Sequence, residues 1–337
     1  MNKRGTILYF SAIILAAVIL VFYFNDKDNM TKRNQEVTRA GSLQNDYVNV
    51  DEFGANGEDS KDDYKAIQDA INYSHDSKLG KVRLQGNKNY IISKGLVLKE
   101  GVELEFDQNT RLSIEGNFQA IVLKKNASIT NGIIEINHSN FDSDVIYLDG
   151  NQRIWSADRT QIKNVTILNN SGSHKGTALH LYAGGPGHFI CFVNFSDLKI
   201  AGFHTGVKLE AVKPKDDKYS FINGNRFINL TLDDCIRAID IKSSMSVPNE
   251  SSGNDFSGLQ IQVSKSTKEA ITVSGSDNKF AGIIWDVHLL KSKKPIIEFS
   301  KASTRNSLYS NIEPKYIKDK GLYNYYSSPE ENAKKLQ

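Results

Sequence analysis

Two acidic residues, Glu210 and Asp240, lie in matching segments, Gly206-Val207-Lys208-Leu209-Glu210 and Ala238-Ile239-Asp240-Ile241-Lys242. Period-2 alternation turns Ile239 and Ile241 to one face and sends their polar neighbours to the other. If the two segments are adjacent rungs of a parallel sheet, the carboxylates stand one rung and two residues apart, about 7 to 8 Å between Cβ atoms. That spacing admits a water between a general acid and a general base, as glycoside hydrolysis with inversion requires. The same register sets Lys208 beside Asp240 and Glu210 beside Lys242, so cross-rung ion pairs contributing about 0 to 1 kcal/mol each are an equally open reading. Lys208 or Arg237 is also placed to act as the base in β-elimination of a uronate.

Aligning further segments extends this into two outward columns. One holds Tyr147, His180, Lys208, Asp240, Thr272 and Glu298; the other holds Asp149, Tyr182, Glu210, Lys242, Ser274 and Ser300. His180, Tyr182, Asp149, Lys208, Lys242 and Arg237 are therefore candidate substrate contacts. Trp155, in the polar excursion Gly150 to Arg159, is a candidate for stacking on a sugar ring, with Arg153 or Arg159 holding an anion. Gly184-Gly185-Pro186-Gly187-His188 marks a second excursion, a loop and not a phosphate cradle. His188 and His204 lack ligand spacing, so neither is read as a metal site. Cys191 and Cys235 match neither a zinc site nor a redox pair. No cofactor is implied.

The elements that would position these residues repeat. Asn194-Phe195, Asn225-Arg226-Phe227, Asn254-Asp255-Phe256 and Asn278-Lys279-Phe280 open similar runs; the aromatics fall 32, 29 and 24 residues apart, with Leu308 another 28 on. A second strand follows each about ten residues later. A strand-turn-strand unit of this length indicates a solenoid. The absence of 3.6-residue periodicity excludes helical solenoids, and four-stranded propeller blades need a longer unit. Coils stacked about 4.8 Å apart with apolar side chains inward fit both observations. Asn at the turn before the first strand suits turn conformations and can ladder with itself.

At the N-terminus, Ile7 to Phe24 form an uncharged apolar run of 18 preceded by Lys3 and Arg4. A helix of that length rises about 27 Å, enough to span a membrane. It ends in Phe22-Tyr23-Phe24 without a small-residue cleavage site, and the basic flank places the rest of the chain outside. The expected organisation is a cytoplasmic 1–6, a transmembrane signal anchor at 7–24, a polar stalk at 25–46, a β-solenoid at 47–315 and a C-terminal cap or tail at 316–337. Without Lys3 and Arg4, 40 basic residues face 39 acidic ones, which gives no reason to expect nucleic acid as a partner.

The segment Val50-Asp51-Glu52-Phe53-Gly54-Ala55-Asn56-Gly57, continuing through Asp62-Asp63 to Ala66-Ile67-Gln68-Asp69-Ala70-Ile71, resembles the opening motif of the pectate-lyase-like superfamily. That superfamily includes rhamnogalacturonases, polysaccharide epimerases and phage tail-spike proteins. Glu58-Asp59 stands where the motif has Asp-Gly, Tyr64 where it has Thr, and Gln85 where it has Pro. The resemblance implies an all-β, right-handed single-stranded parallel β-helix over about Tyr47 to Pro314. Its short helix, with a capping box in Ser60-Lys61-Asp62-Asp63, would plug the N-terminal end. It further implies a substrate groove on an outer face and a polysaccharide as partner. The expected activity is hydrolysis of a surface or acidic polysaccharide or its cleavage by β-elimination; the alternative is a non-catalytic glycan-binding or scaffold protein. Asp233-Asp234-Cys235 is similar to part of the galacturonan-hydrolase signature, but the accompanying Asn-Thr-Asp, Gly-His-Gly and Arg-Ile-Lys are missing, and turn chemistry is the simpler reading.

Overall fold

The structure, a computed structural model, describes residues 46–215, 218–244, 250–290 and 294–327. The membrane span expected at 7–24 and the stalk before residue 46 lie outside the described residues; no described helix is long and apolar enough to cross a membrane.

Among the described residues from Tyr47 onward the chain is a parallel β-helix, and every inter-rung strand pairing is parallel. One helix, α1 (Tyr64–Asp76), covers its first rung with Ile67, Ala70, Ile71 and Ser74 buried. The expected capping box does not form, because the helix begins at Tyr64, three residues later than a Ser60 cap requires. Asp62 and Asp63 instead tie α1 to the coil. Asp63 accepts from the Asn56 and Ile91 amides at 2.9 and 3.1 Å, and Asp62 accepts from the Tyr64 and Ser93 amides at 3.1 and 3.0 Å.

The aromatic column stacks as the repeat predicts. Phe195, Phe227, Phe256 and Phe280 are in register on successive rungs, with ring centroids 4.6, 4.3 and 5.1 Å apart, and Leu308 follows. All four rings are fully buried. Beside them the asparagine ladder forms. Asn225, Asn254 and Asn278 each donate a side-chain amide hydrogen to the next asparagine, at 2.9, 2.9 and 3.0 Å, ending on Asn306, which donates to Asn324. The same acceptor oxygens take backbone N–H groups, so these buried amides are satisfied.

Three features differ from the strand-turn-strand unit. The first run breaks at a single residue in the left-handed region, Asn164, Asp197, Asn229 or Gly258 in successive coils, which turns the wall through a corner. These are residue types that tolerate positive φ. The middle coils also gain a third side, the short strands His188–Cys191, Ser220–Asn223 and Ser251–Ser252, with Phe189 stacked on Phe221 at 5.2 Å. Finally, the coils run past the expected limit near residue 315. Ile317–Asp319 pairs with Ile297–Phe299 and Tyr325–Ser327 with Ser307–Tyr309, so the chain after 316 supplies a terminal rung up to Ser327.

Candidate functional site

Six strands make the wall that carries the candidate residues: β1 (Asp144–Asp149), β2 (Thr177–Ala183), β3 (Thr205–Ala211), β4 (Arg237–Lys242), β5 (Glu269–Ser276) and β6 (Ile297–Thr304). Their register puts Tyr147, His180, Lys208, Asp240, Thr272 and Glu298 in one column. Asp149, Tyr182, Glu210 and Lys242 form the next. Ser274 and Ser300 are joined by a 2.9 Å hydrogen bond beside a register shift. A third column, Asp144, Thr177, Thr205, Arg237 and Glu269, lies alongside. Sequence reasoning named only Arg237 of these residues, because alternation slips by one at the start of each strand. Val145 and Ile146, Ala178 and Leu179, and Ala270 and Ile271 are consecutive buried pairs, so the residue before each pair is turned out again.

His180 is the centre of the face and is only 8% exposed. Its Nδ1 lies 3.1 Å from Asp144 Oδ1, and Asp144 Oδ2 accepts from Gln119 Nε2 at 3.1 Å. The other ring nitrogen, Nε2, is buried 3.5 Å from Glu210 Oε2 without making a hydrogen bond. Lys208 Nζ sits 2.5 Å from the same Glu210 oxygen. Burial would raise the Asp144 carboxyl, but the bond and charge from His180, the Gln119 amide and the Lys208 charge outweigh it and hold the group below the usual carboxylate range. Tyr147 meets the His180 ring edge-on at 5.4 Å, and Tyr182 lies 6.5 Å from Tyr147 with its ring plane within 24°. Burial, then the Asp149 and Asp144 charges, push the Tyr147 hydroxyl upward, so it stays a donor at neutral pH.

Asp240 has a different environment. It is 3% exposed; Oδ1 accepts from Thr272 Oγ1 at 2.7 Å, and Oδ2 accepts from Arg237 Nη1 at 2.9 Å with Lys242 Nζ 3.4 Å away. Arg237 is shared with Glu269. The expectation of exposed ion pairs across rungs is therefore corrected. Lys208 and Lys242 pair within their own strands, with Glu210 and Asp240, because residues two apart on a strand share the outer face, and Arg237 joins Lys242 on the same Asp240 oxygen.

The excursions border Asp149 and Tyr182. A Cβ on Gly184 would stand 2.1 Å from the Tyr182 hydroxyl oxygen, and one on Gly185 would stand 2.4 Å from the His188 ring. Glycine is what lets this loop lie on both side chains. His188 Nδ1 is buried 3.8 Å from Asp149 Oδ1, again without a hydrogen bond. Trp155 is 51% exposed on its excursion, which is fastened by the Trp155 amide to Asp158 at 2.9 Å; among the described residues its ring contacts no other aromatic. Asp234 occupies a left-handed turn at another corner and bonds His174 Nε2 at 2.8 Å; burial and Asp234 push Asp233 upward.

The family model for rhamnogalacturonase A/epimerase, pectate lyase-like proteins matches residues 47–263. Depolymerase 1, capsule KN3-specific, of Klebsiella phage KN3-1 is 37% identical over 101 residues, which is 30% of this chain. The match spans only 12% of that relative's length. Among solved structures, the A-module of the Azotobacter vinelandii mannuronan C-5 epimerase AlgE4 aligns over 84% of this chain and 96% of its own, at 14% identity and a TM-score of 0.43. The tailspike gp49 of Acinetobacter baumannii bacteriophage Fri1, a capsular polysaccharide depolymerase, aligns over 85% and 58% at 13% identity and a TM-score of 0.44.

Proposed function

Because the chain belongs to the rhamnogalacturonase A/epimerase, pectate lyase-like family, we propose that the outer face of β1 to β4 binds a polysaccharide at the cell surface and hydrolyses its glycosidic bonds. The observation that carries this reading is the His180 centre: a buried imidazole held by Asp144 presents an unpartnered nitrogen beside the partly exposed Glu210. Tyr147 and Tyr182 supply ring surface next to it, suited to the apolar faces of sugars.

Hydrolysis needs two carboxyl groups flanking the bond. Glu210 is one, with its side chain 25% exposed. Asp240, with both oxygens occupied, serves to position Arg237 and Lys242. The second proton carrier is Asp149, 26% exposed and two rungs from Glu210 on the same column, with Tyr182 between. Two rungs are about 9.6 Å, near the upper end of the separation that leaves room for a water. The attacking water gives its proton to Glu210, already ion-paired with Lys208, as its oxygen bonds the anomeric carbon. The leaving oxygen takes the proton of the Asp149 carboxyl as the glycosidic bond breaks.

The test is to incubate the protein with uronic-acid, phosphate-linked and neutral polymers and measure reducing ends together with the ultraviolet absorbance of unsaturated products. New reducing ends without that absorbance support hydrolysis. Absorbance would favour elimination, for which Lys208 and His180 already stand together at Glu210. Binding without any product would leave only the glycan-binding reading.

The apolar run 7–24 supports attachment to the membrane with the β-helix outside. Protease added to intact cells should release the β-helix while 7–24 stays in the membrane fraction; a mature N-terminus beyond Phe24 would exclude an anchor.

A further inference from the structure

At the edge of the same wall, where the chain enters β4, β5 and β6, a cavity of about 600 Å³ opens. Lys265, Lys268 and Lys294 line it, and Ile236, Leu290 and Ile296 form its apolar part; no carboxylate is among its lining residues. Lys265 and Lys268 make no ion pair among the described residues. The nearest carboxylate along the wall, Glu269, is held by Arg237. Basic and acidic residues after Arg4 are almost equal in number, so this is a local excess of positive charge and not an extension of a basic protein.

We propose that this cavity is a second subsite that takes an anionic sugar residue of the polymer, its ring on Ile236 and Leu290 and its carboxylate or phosphate among the lysines. The proposal rests on the polysaccharide reading given above and adds the substrate's charge and direction. Ammonium groups on flexible stems suit a point-like anion, and an apolar floor beneath them suits the hydrophobic face of a pyranose. The cavity is entered from the residues before β4 and β5, whereas the His180 centre is on β2 and β3. From β3 to β5 is two rungs, about 10 Å, and Glu210 stands about 20 Å further along the strands than the cavity residues, so one extended chain crossing the rungs obliquely can occupy both. The lysines therefore hold the polymer in register while a bond several sugars away lies at Glu210.

The experiment compares the full chain in detergent with its Lys265→Gln/Lys268→Gln variant, measuring binding by calorimetry at two salt concentrations. Polygalacturonate supplies the carboxylate arm, a glycerol-phosphate polymer the phosphate arm, and dextran the neutral control. The wild type should bind one anionic polymer more tightly than dextran and lose affinity as salt rises. The double variant should bind that polymer about tenfold more weakly, with a flatter salt dependence and unchanged affinity for dextran. Equal affinity of variant and wild type for both anionic polymers, or wild-type binding indifferent to polymer charge, would overturn the proposal. The two readings fail separately. A lysine-dependent anion affinity without product formation sinks cleavage and keeps the subsite, whereas Glu210-dependent cleavage that the double variant leaves untouched sinks the subsite alone.

Discussion

Asp240→Asn separates structure from chemistry on the proposed face. Asp240 is almost fully buried and receives three partners, Thr272, Arg237 and Lys242. The amide keeps one acceptor oxygen but turns an NH2 toward Arg237 or Thr272 and leaves the Arg237 charge with Glu269 alone. Removing one member of a fully buried ion pair costs about 3 to 5 kcal/mol. Here Arg237 is 24% and Lys242 50% exposed, so water recovers part of that, and about 2 to 3 kcal/mol is expected. At roughly 2 °C per kcal/mol for a domain of this size, the melting temperature should fall by about 4 to 6 °C. The matching Glu210→Gln change breaks only partly exposed contacts and should move it by less than about 2 °C. Differential scanning calorimetry of both variants decides the point. Equal shifts, or a larger one for Glu210→Gln, would refute the claim that Asp240 is held by a buried cage while Glu210 is available for chemistry.

Two further outcomes follow from the same geometry. Phe227 has ring partners on both faces and Phe280 on one, so Phe227→Ala should cost about 3 to 5 kcal/mol and Phe280→Ala about 1 kcal/mol less; urea midpoints in the reverse order would contradict the stack. Asp144 has a carboxyl held below its ordinary value, so its contribution is fully present above the unfolded pKa of about 4 and is lost as pH falls through the lower folded value. Asp144→Asn should then be less stable than wild type at pH 7, with the gap closing toward pH 3; a gap that stays constant would count against this pairing.

Residues that alternate regularly were legible from the sequence. Ile239 and Ile241 fix which neighbours face out, and the repeated Asn-x-Phe openings fix the register, so the columns through His180 and Tyr182 and the stack through Phe227 follow from side-chain period alone. Asp144 and Glu269 were not legible, because the paired inward residues beside them shift the period by one and no local residue type signals it. The burial of Asp240 depends on Arg237 crossing from that shifted column, a tertiary fact. Asn229 and Asp197 carried a signal for the corner in residue type, since a lone Asn or Asp in a β run favours positive φ. Ser220–Asn223 carried none, being a four-residue strand that follows a long loop.

The central claim is that Glu210 and Asp149, set two rungs apart beside His180, cleave a polysaccharide. Its most direct test is product release from a polymer that the wild type degrades, measured as reducing ends for wild type, Glu210→Gln and Asp149→Asn at equal folded concentration. The account predicts that each variant loses at least about a hundredfold in rate, as removal of a general acid or base does, while still binding the polymer. Full activity in either variant would contradict it.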